Sequence, residues 1–322
     1  MDAHEAEVDM WTRRLETYHN PEGDFLSEGF RPIGGYIADF TIISDGSRFH
    51  LFYIERRQEG NPAWPGHEIY FGHSSTDDFS CWKTHAPVML IRPGTWEGNH
   101  VFAPYILRHN GQYVMFYTGL NGGNAQSLGM AFSKDLFTWE RYHGNPIIQP
   151  AFSEWACWER HVVSSCRDPH VYVEDGLAYL YYTAIRKTGE SCIALATSED
   201  WENWTDVGPV FYLARDYAIP MTGPRHVESA YIEKMGDSYY LLYGHNGGVR
   251  YNVSHSPRHF NPVEGDMIWE GFTGIEILER QDARWLVCAF RQGLLHLGIL
   301  DWSEPSPRVV IVTKKNEIAA WL

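Results

Sequence analysis

Three acidic residues, Asp39, Asp168 and Glu228, stand where short repeated strands begin. Carboxylates crowded around one pocket repel, so at least one of them should hold its proton near neutral pH. A protonated acid beside an ionised one is what cleavage of a glycosidic bond needs. The first donates a proton to the leaving oxygen, and the second attacks the anomeric carbon or activates water. Taken singly, each acid would serve as well in a local turn at a strand entrance. A shared role follows from their positions, because the chain repeats.

Five apolar cores recur, at residues 49–53, 113–117, 179–182, 240–243 and 285–288. Aligned on Tyr53, Tyr117, Tyr182, Tyr243 and Cys288, they are spaced by 64, 65, 61 and 45 residues. Each follows a turn signal (Asp45-Gly46, Asn110-Gly111, Asp175-Gly176, Gly236-Asp237, Gln281-Asp282), and another apolar run precedes that turn. A second marker keeps the same register. Thr76-Asp77-Asp78-Phe79-Ser80-Cys81-Trp82 matches Ser133-Lys134-Asp135-Leu136-Phe137-Thr138-Trp139 and Ser198-Glu199-Asp200-Trp201-Glu202-Asn203-Trp204, with a degraded copy at residues 254–260. Strands are expected before these markers, at residues 68–73, 127–132, 192–197 and 249–253.

The unit is therefore strand, turn, strand, loop, strand, polar turn and a Trp-led final strand. Five such units predict an all-β protein, a five-bladed β-propeller of four-stranded antiparallel blades. The fifth unit is the shortest, and residues 308–313 supply its outer strand. Residues 5–18 place Val8, Trp11, Leu15 and Tyr18 on one face of a short helix, ended by Asn20-Pro21-Glu22-Gly23. Residues 1–29 are expected to pack as a segment on a single propeller domain, residues 30–322.

In a propeller the first strand of each blade lines the central channel, so equivalent positions converge on one axis. Counting back 14 residues from the alignment positions gives Asp39, Ala103, Asp168 and Gly274. In the fourth unit a count of 15 reaches Glu228, with the turn Met235-Gly236-Asp237-Ser238 read as one residue longer. Blades one, three and four then each present an acid at the channel mouth. Trp96, His100 and Phe102 precede the second channel strand and are placed to wall a substrate site, and His226 neighbours Glu228. His170, His245 and Arg291 also fall near blade mouths and are read as structural. Arg167 is able to grip hydroxyls of a substrate or to pair with Asp168.

These features resemble the five-bladed propeller glycoside hydrolases, the superfamily of families 43, 32 and 68. The likeness is carried by Asp39, by Arg167-Asp168-Pro169, by Glu228 within His226-Val227-Glu228-Ser229-Ala230, and by Phe102-Ala103-Pro104-Tyr105. It implies that Glu228 is the general acid, and that Asp39 is the base of an inverting enzyme or the nucleophile of a retaining one. It implies too that Asp168 orients substrate hydroxyls and raises the pKa of Glu228. The chain departs from the fructosidase signature Asn-Asp-Pro-Asn-Gly, with Ala38-Asp39-Phe40-Thr41 in its place. Glu228 is followed by Ser-Ala rather than Cys-Pro or Gly-Pro, and no C-terminal β-sandwich is expected after residue 310. The expected reaction is hydrolysis of a furanose or xylose-type glycoside, arabinofuranoside or xyloside ahead of fructofuranoside. The alternatives are an inactive carbohydrate-binding propeller and a phosphorolytic relative, for which Arg225 and His226 beside Glu228 are too few to hold phosphate. No cofactor is required. The resemblance allows a structural metal ion in the channel, as in some relatives, but the 16 His show no tight ligand spacing and no residue is assigned to a metal.

Composition limits the partners. The 322 residues are 44% hydrophobic and 21% charged, ordinary for a folded domain, and 15% aromatic, which suits strands and sugar-binding surfaces. A net charge of −15 argues against nucleic acid or an anionic membrane, and no apolar run reaches the ~18 residues of a membrane span. The expected partner is an oligosaccharide, a polysaccharide or a small glycoside. There is no GxGxxG before a helix, no phosphate-binding loop, no HExxH and no GxSxG. Cys81, Cys157, Cys166, Cys192 and Cys288 show no CxxC spacing and are read as free thiols. Residues 1–7 are polar and do not form a secretory signal, so a cytoplasmic location is expected unless a leader has been removed.

Overall fold

The turn signals close hairpins. Asn110-Gly111 and Asp175-Gly176 both have positive φ at each central residue (47° and 77°, 50° and 82°). That is the type I′ geometry whose twist matches the flanking strands. The computed structural model describes residues 18–19, 24–32, 35–57, 68–150, 155–161, 164–217 and 226–322. Its strands form five antiparallel sheets, numbered here as blades in chain order.

Blade one holds β2 (Gly35–Ser44), β3 (Phe49–Arg57), β4 (Phe71–Thr76) and β5 (Lys83–Val88), with β1 (Tyr18–His19) added outside β5. Blade two is β6 (His100–His109), β7 (Gln112–Leu120), β8 (Gln126–Ser133) and β9 (Glu140–Arg141). Blade three is β10 (Cys166–Glu174), β11 (Leu177–Ile185), β12 (Glu190–Ser198) and β13 (Thr205–Tyr217). Blade four is β14 (Glu228–Met235), β15 (Ser238–His245), β16 (Gly248–Ser254) and β17 (Asp266–Glu270). Blade five is β18 (Thr273–Gln281), β19 (Arg284–Arg291), β20 (Leu294–Asp301) and β21 (Val309–Ile311). This is the expected five-bladed propeller. Blade one gains a fifth strand that the sequence did not indicate. The helix expected over residues 5–18 falls, but for Tyr18, outside the described residues, and Tyr18 is in a strand.

The continuous apolar cores have a packing reason. A strand covered on both faces needs no polar alternation. Buried side chains form five clusters, each shared by two neighbouring blades. Along β3, Leu51 and Tyr53 pack with Leu286 and Cys288 of blade five, while Phe52 and Ile54 pack with Met115 and Tyr117 of blade two. The Trp-led marker is a turn built on side chains. The amides of Phe79, Leu136 and Trp201, residues with φ of 63°, 67° and 66°, donate to the hydroxyls of Thr76, Ser133 and Ser198. Trp82, Trp139 and Trp204 donate an indole N–H back to the carbonyls of Phe79, Leu136 and Trp201, respectively.

The ends of the chain close the ring. Phe30 exchanges two 2.8 Å backbone hydrogen bonds with Leu295 of blade five, and its ring stacks on Trp82 of blade one at 4.1 Å. Ile318 and Trp321, in and just after the helix α2 (Lys315–Ile318), join the same cluster, as does Leu26 from α1 (Phe25–Glu28).

Across this closing seam, deep in the channel, Glu276 of β18 accepts the Ile42 amide of β2 at 2.8 Å and a bond from the Thr41 side chain. Burial pushes its pKa from 4.5 to about 8 despite these two donors. A carboxyl whose folded pKa lies above its unfolded value favours the folded state while protonated. Its contribution is therefore complete below about pH 4.5 and is lost as the pH rises through about 8. Urea denaturation across this range should show wild type losing up to about 1.4 kcal/mol per pH unit relative to Glu276→Gln. Parallel curves for the two proteins would show that Glu276 does not titrate in this window.

Candidate active site

Each inner strand carries a bulge where it enters the ring. Its pairing jumps from Ala38 to Phe40, Phe102 to Tyr105, Arg167 to His170, Glu228 to Tyr231 and Thr273 to Glu276. Ala103, Asp168, Ser229 and Gly274 occupy the bulge with φ of 42°, 56°, 55° and 63°. Bulges bend a strand and re-aim its side chains, which is how five edge-on strands turn residues into a channel mouth. Asp39 is the bulged residue of blade one.

Glu228 is not at this position. It precedes the bulge and corresponds to Arg167, Phe102 and Thr273, while Ser229 is the partner of Asp168. The turn expected to be one residue longer is not: Met235 pairs with Ser238 across two residues, just as Glu174 pairs with Leu177. The one-residue offset has a consequence. Asp39 and Asp168 line a cavity of about 50 Å³ at the channel mouth, together with Ala103, Ser229 and Gly274. Glu228 instead lines a cleft of about 370 Å³ between blades four and five, with His226, Gly244, His245, Phe272 and Thr273. The two spaces adjoin, since Glu228 and Thr273 on one are followed in sequence by Ser229 and Gly274 on the other.

Arg167 bridges them. Its Nη2 donates to Glu228 Oε2 at 2.8 Å, its Nη1 to Ser165 Oγ at 3.0 Å, and its Nε lies 3.5 Å from Asp168 Oδ2. Burial disfavours the guanidinium charge, but Asp168, Glu228 and Asp39 outweigh it and raise its pKa. Asp168 is buried, and that burial raises its pKa. Arg167 opposes the rise, the Glu228 charge adds to it, and a Thr183 hydrogen bond opposes it again. A raised acid was expected within the trio; the structure puts that shift on Asp168. The sequence left Arg167 between gripping substrate and pairing with Asp168, and its shorter contact is with Glu228. Two carboxylates expected to face each other thus have a cation between them.

The remaining candidates divide. His226 is buried beside Glu228 on the cleft, and its carbonyl accepts from His245 Nδ1 at 3.2 Å. His100 and Phe102 stack at 5.5 Å at the entry of blade two, half-buried, and line neither cavity. Trp96 lines neither cavity. Its ring lies over Gly119 and Gly129, where an added Cβ would come within 2.5 Å of it, and 5.5 Å from Tyr117. Two glycines on neighbouring strands make the slot that draws this indole into the seam between blades. Thr183, Ser229 and Glu276 reach the site without having been singled out from the sequence. A signal was available for the first: Thr118 and Thr183 each follow their alignment tyrosine. Blade one also gathers His50, His73 and His85, with ring centroids 5.2 and 4.6 Å apart, although they are far apart in sequence. Among the described residues no group of His, Cys, Asp and Glu is arranged to hold a metal ion.

The sequence model of the glycosyl hydrolases family 32 N-terminal domain matches residues 30–222, more than half of the chain. The chain belongs to glycosyl hydrolase family 32. The match spans blades one to three, with Asp39 and Asp168, and stops short of Glu228. An acid β-fructofuranosidase of Vigna radiata var. radiata is 26% identical over 113 residues, 32% of this chain but 16% of that protein. The fold is shared with fructan 1-exohydrolase IIa from Cichorium intybus (TM-score 0.68, 17% identity), covering 90% of this chain and 60% of that one. It is shared as well with an exo-1,5-α-L-arabinanase from a bovine ruminal metagenomic library (TM-score 0.63, 16% identity), covering 87% and 99%. This family 32 chain thus spans only part of the curated fructofuranosidase it matches.

The bridge gives a testable stability signature. Arg167→Met leaves Asp168 buried without its cation, so its pKa should rise further and the folded state should prefer the protonated acid. The substitution should therefore cost more at pH 8 than at pH 5, by about 3 kcal/mol at the higher pH. Urea midpoints at the two pH values check this, and an equal cost at both would reduce Arg167 to a packing residue.

Proposed function

We propose that this protein is a glycoside hydrolase acting on furanosides, with β-fructofuranosides first and arabinofuranosides second. The order is the reverse of that expected from the sequence alone. Family 32 membership and a matched acid β-fructofuranosidase support the change, whereas the arabinanase likeness supports the fold. The observation that carries the reading is the Arg167 bridge, which joins Asp168, on the mouth that Asp39 also lines, to Glu228 on the adjoining cleft.

In this reading the sugar ring enters the channel mouth between Asp39 and Asp168, and the leaving group occupies the cleft beside Glu228. Glu228 protonates the leaving oxygen, and Asp39 attacks the anomeric carbon or activates water. Sugar hydroxyls arriving at Asp168 and Arg167 take over donors now spent on Glu228, which frees that carboxyl to carry and deliver a proton. Asp168, held by buried donors, fixes the ring rather than reacting. Two acids in separately lined spaces on either side of the scissile bond suit this division of labour.

The test is turnover of sucrose, fructo-oligosaccharides and a panel of aryl furanosides and xylosides by wild type, Asp39→Asn and Glu228→Gln. Both substitutions should lower kcat by about 1,000-fold. The Glu228→Gln defect should shrink for aryl leaving groups that need no proton. A wild type that turns over nothing, while all three proteins bind glycans equally, would make this a carbohydrate-binding propeller.

A further inference from the structure

We propose that Thr183 is a positioning residue, whose hydroxyl ties Asp168 of blade three to the Ser229 bulge of blade four and so sets where Glu228 stands relative to Asp168. The kinetic part of this inference rests on the function proposed above; the structural part does not.

Thr183 lies on β11 directly opposite Arg167 and is fully buried. Its Oγ1 donates to Asp168 Oδ2 at 2.9 Å. It also accepts the Ser229 amide at 3.3 Å, while that amide and Ser229 Oγ lie 3.3 and 3.4 Å from the same carboxylate oxygen. The hydroxyl's single proton is committed to blade three and a lone pair to blade four. Ser229 has a φ of 55°, a left-handed conformation that a non-glycine residue keeps only when its surroundings hold it. Glu228 is its chain neighbour, so whatever holds Ser229 also aims Glu228.

The other blades provide internal controls. Thr118 stands at the matching place on β7, opposite Phe102, and its Oγ1 accepts the Asp168 amide at 3.3 Å. Blade two has Ala103 at its bulge, so Thr118 has no carboxylate of its own blade there to hold and makes the seam bond alone. At the matching place in blade four is Gly244, opposite Glu228. A Cβ there would lie 3.6 Å from Glu228 Cγ. Hydroxyls on the second strands thus clasp blade two to the bulge of blade three and the bulge of blade three to that of blade four. At the next seam, where Gly244 has no side chain to form a clasp, the cleft opens.

The test compares wild type with Thr183→Val, which keeps the shape and loses the hydroxyl, and Thr183→Ser, which restores it. Thr183→Ala serves if the valine protein does not fold. Two quantities are read: kcat and KM on the best furanoside, and the titration of the Asp168 carboxyl by 13C NMR, assigned by its loss in Asp168→Asn. The valine protein should lose about 10- to 100-fold in kcat with KM within about threefold, and its Asp168 titration should move to higher pH. Serine should recover both. Unchanged kcat and an unmoved titration in Thr183→Val would overturn the proposal. If wild type hydrolyses none of the glycosides, the functional reading falls, and the carboxyl titration alone decides whether Thr183 holds Asp168.

Discussion

Everything at the channel mouth depends on the blades packing face to face around one axis. Each middle strand is covered on both sides, so Leu51 and Tyr53 are committed to one neighbour and Phe52 and Ile54 to the other. Such a strand cannot slip by one residue without moving each side chain into the wrong seam. That rigidity is what allows inner strands to carry bulges at their entry, with left-handed residues at four of the five mouths. The strain at Ala103 and Ser229 is tolerable because the packed seams over-determine the backbone there. Closure of the ring is assigned to segments outside the repeat, Phe30 and the α2 end, which seal blade five to blade one with one shared apolar cluster.

On this frame the site is first of all an electrostatic arrangement. A buried guanidinium is stable here because the charges of Asp168 and Glu228 outweigh its loss of water, and removing it would leave Asp168 buried without its cation. Arg167 therefore does two jobs that a sequence cannot separate. It neutralises Asp168, whose pKa burial raises, and it fixes the carboxyl of Glu228 at 2.8 Å on the neighbouring blade. The spread of the acids over two adjoining spaces comes from a single residue of offset. A bulged position and the one before it leave the strand in different directions, so Asp168 looks into the channel and Glu228 onto the cleft.

The seams between blades are graded to match. Thr118 and Thr183 bond across two consecutive seams, and Gly244 leaves the third open beside Glu228. The larger of the two spaces is thus where the side chain is smallest, next to Glu228. The same economy explains Trp96, an aromatic residue near the mouth that is nevertheless drawn into a slot over Gly119 and Gly129.

The repeat, the positions of the hairpin turns and the five sheets were legible in the sequence because they rest on local chemistry. Asn-Gly and Asp-Gly pairs set the hairpins, Ser or Thr with Asp sets the marker turns, and two-sided burial writes continuous apolar runs. The candidate acids were legible for the same reason, as fixed offsets from those runs. What the sequence could not decide is direction. A count of residues cannot tell a bulge from a longer turn, so Glu228 was placed one position out of register and its turn was lengthened to compensate. Nor can it show that Trp96 folds inward, that Arg167 reaches a carboxyl 61 residues away, or that Thr183 and Glu276 meet partners on other blades. Those outcomes depend on which faces of separate blades close on one another. Only the tertiary structure fixes that, because each contact joins residues whose relation in the chain carries no trace of their distance in space.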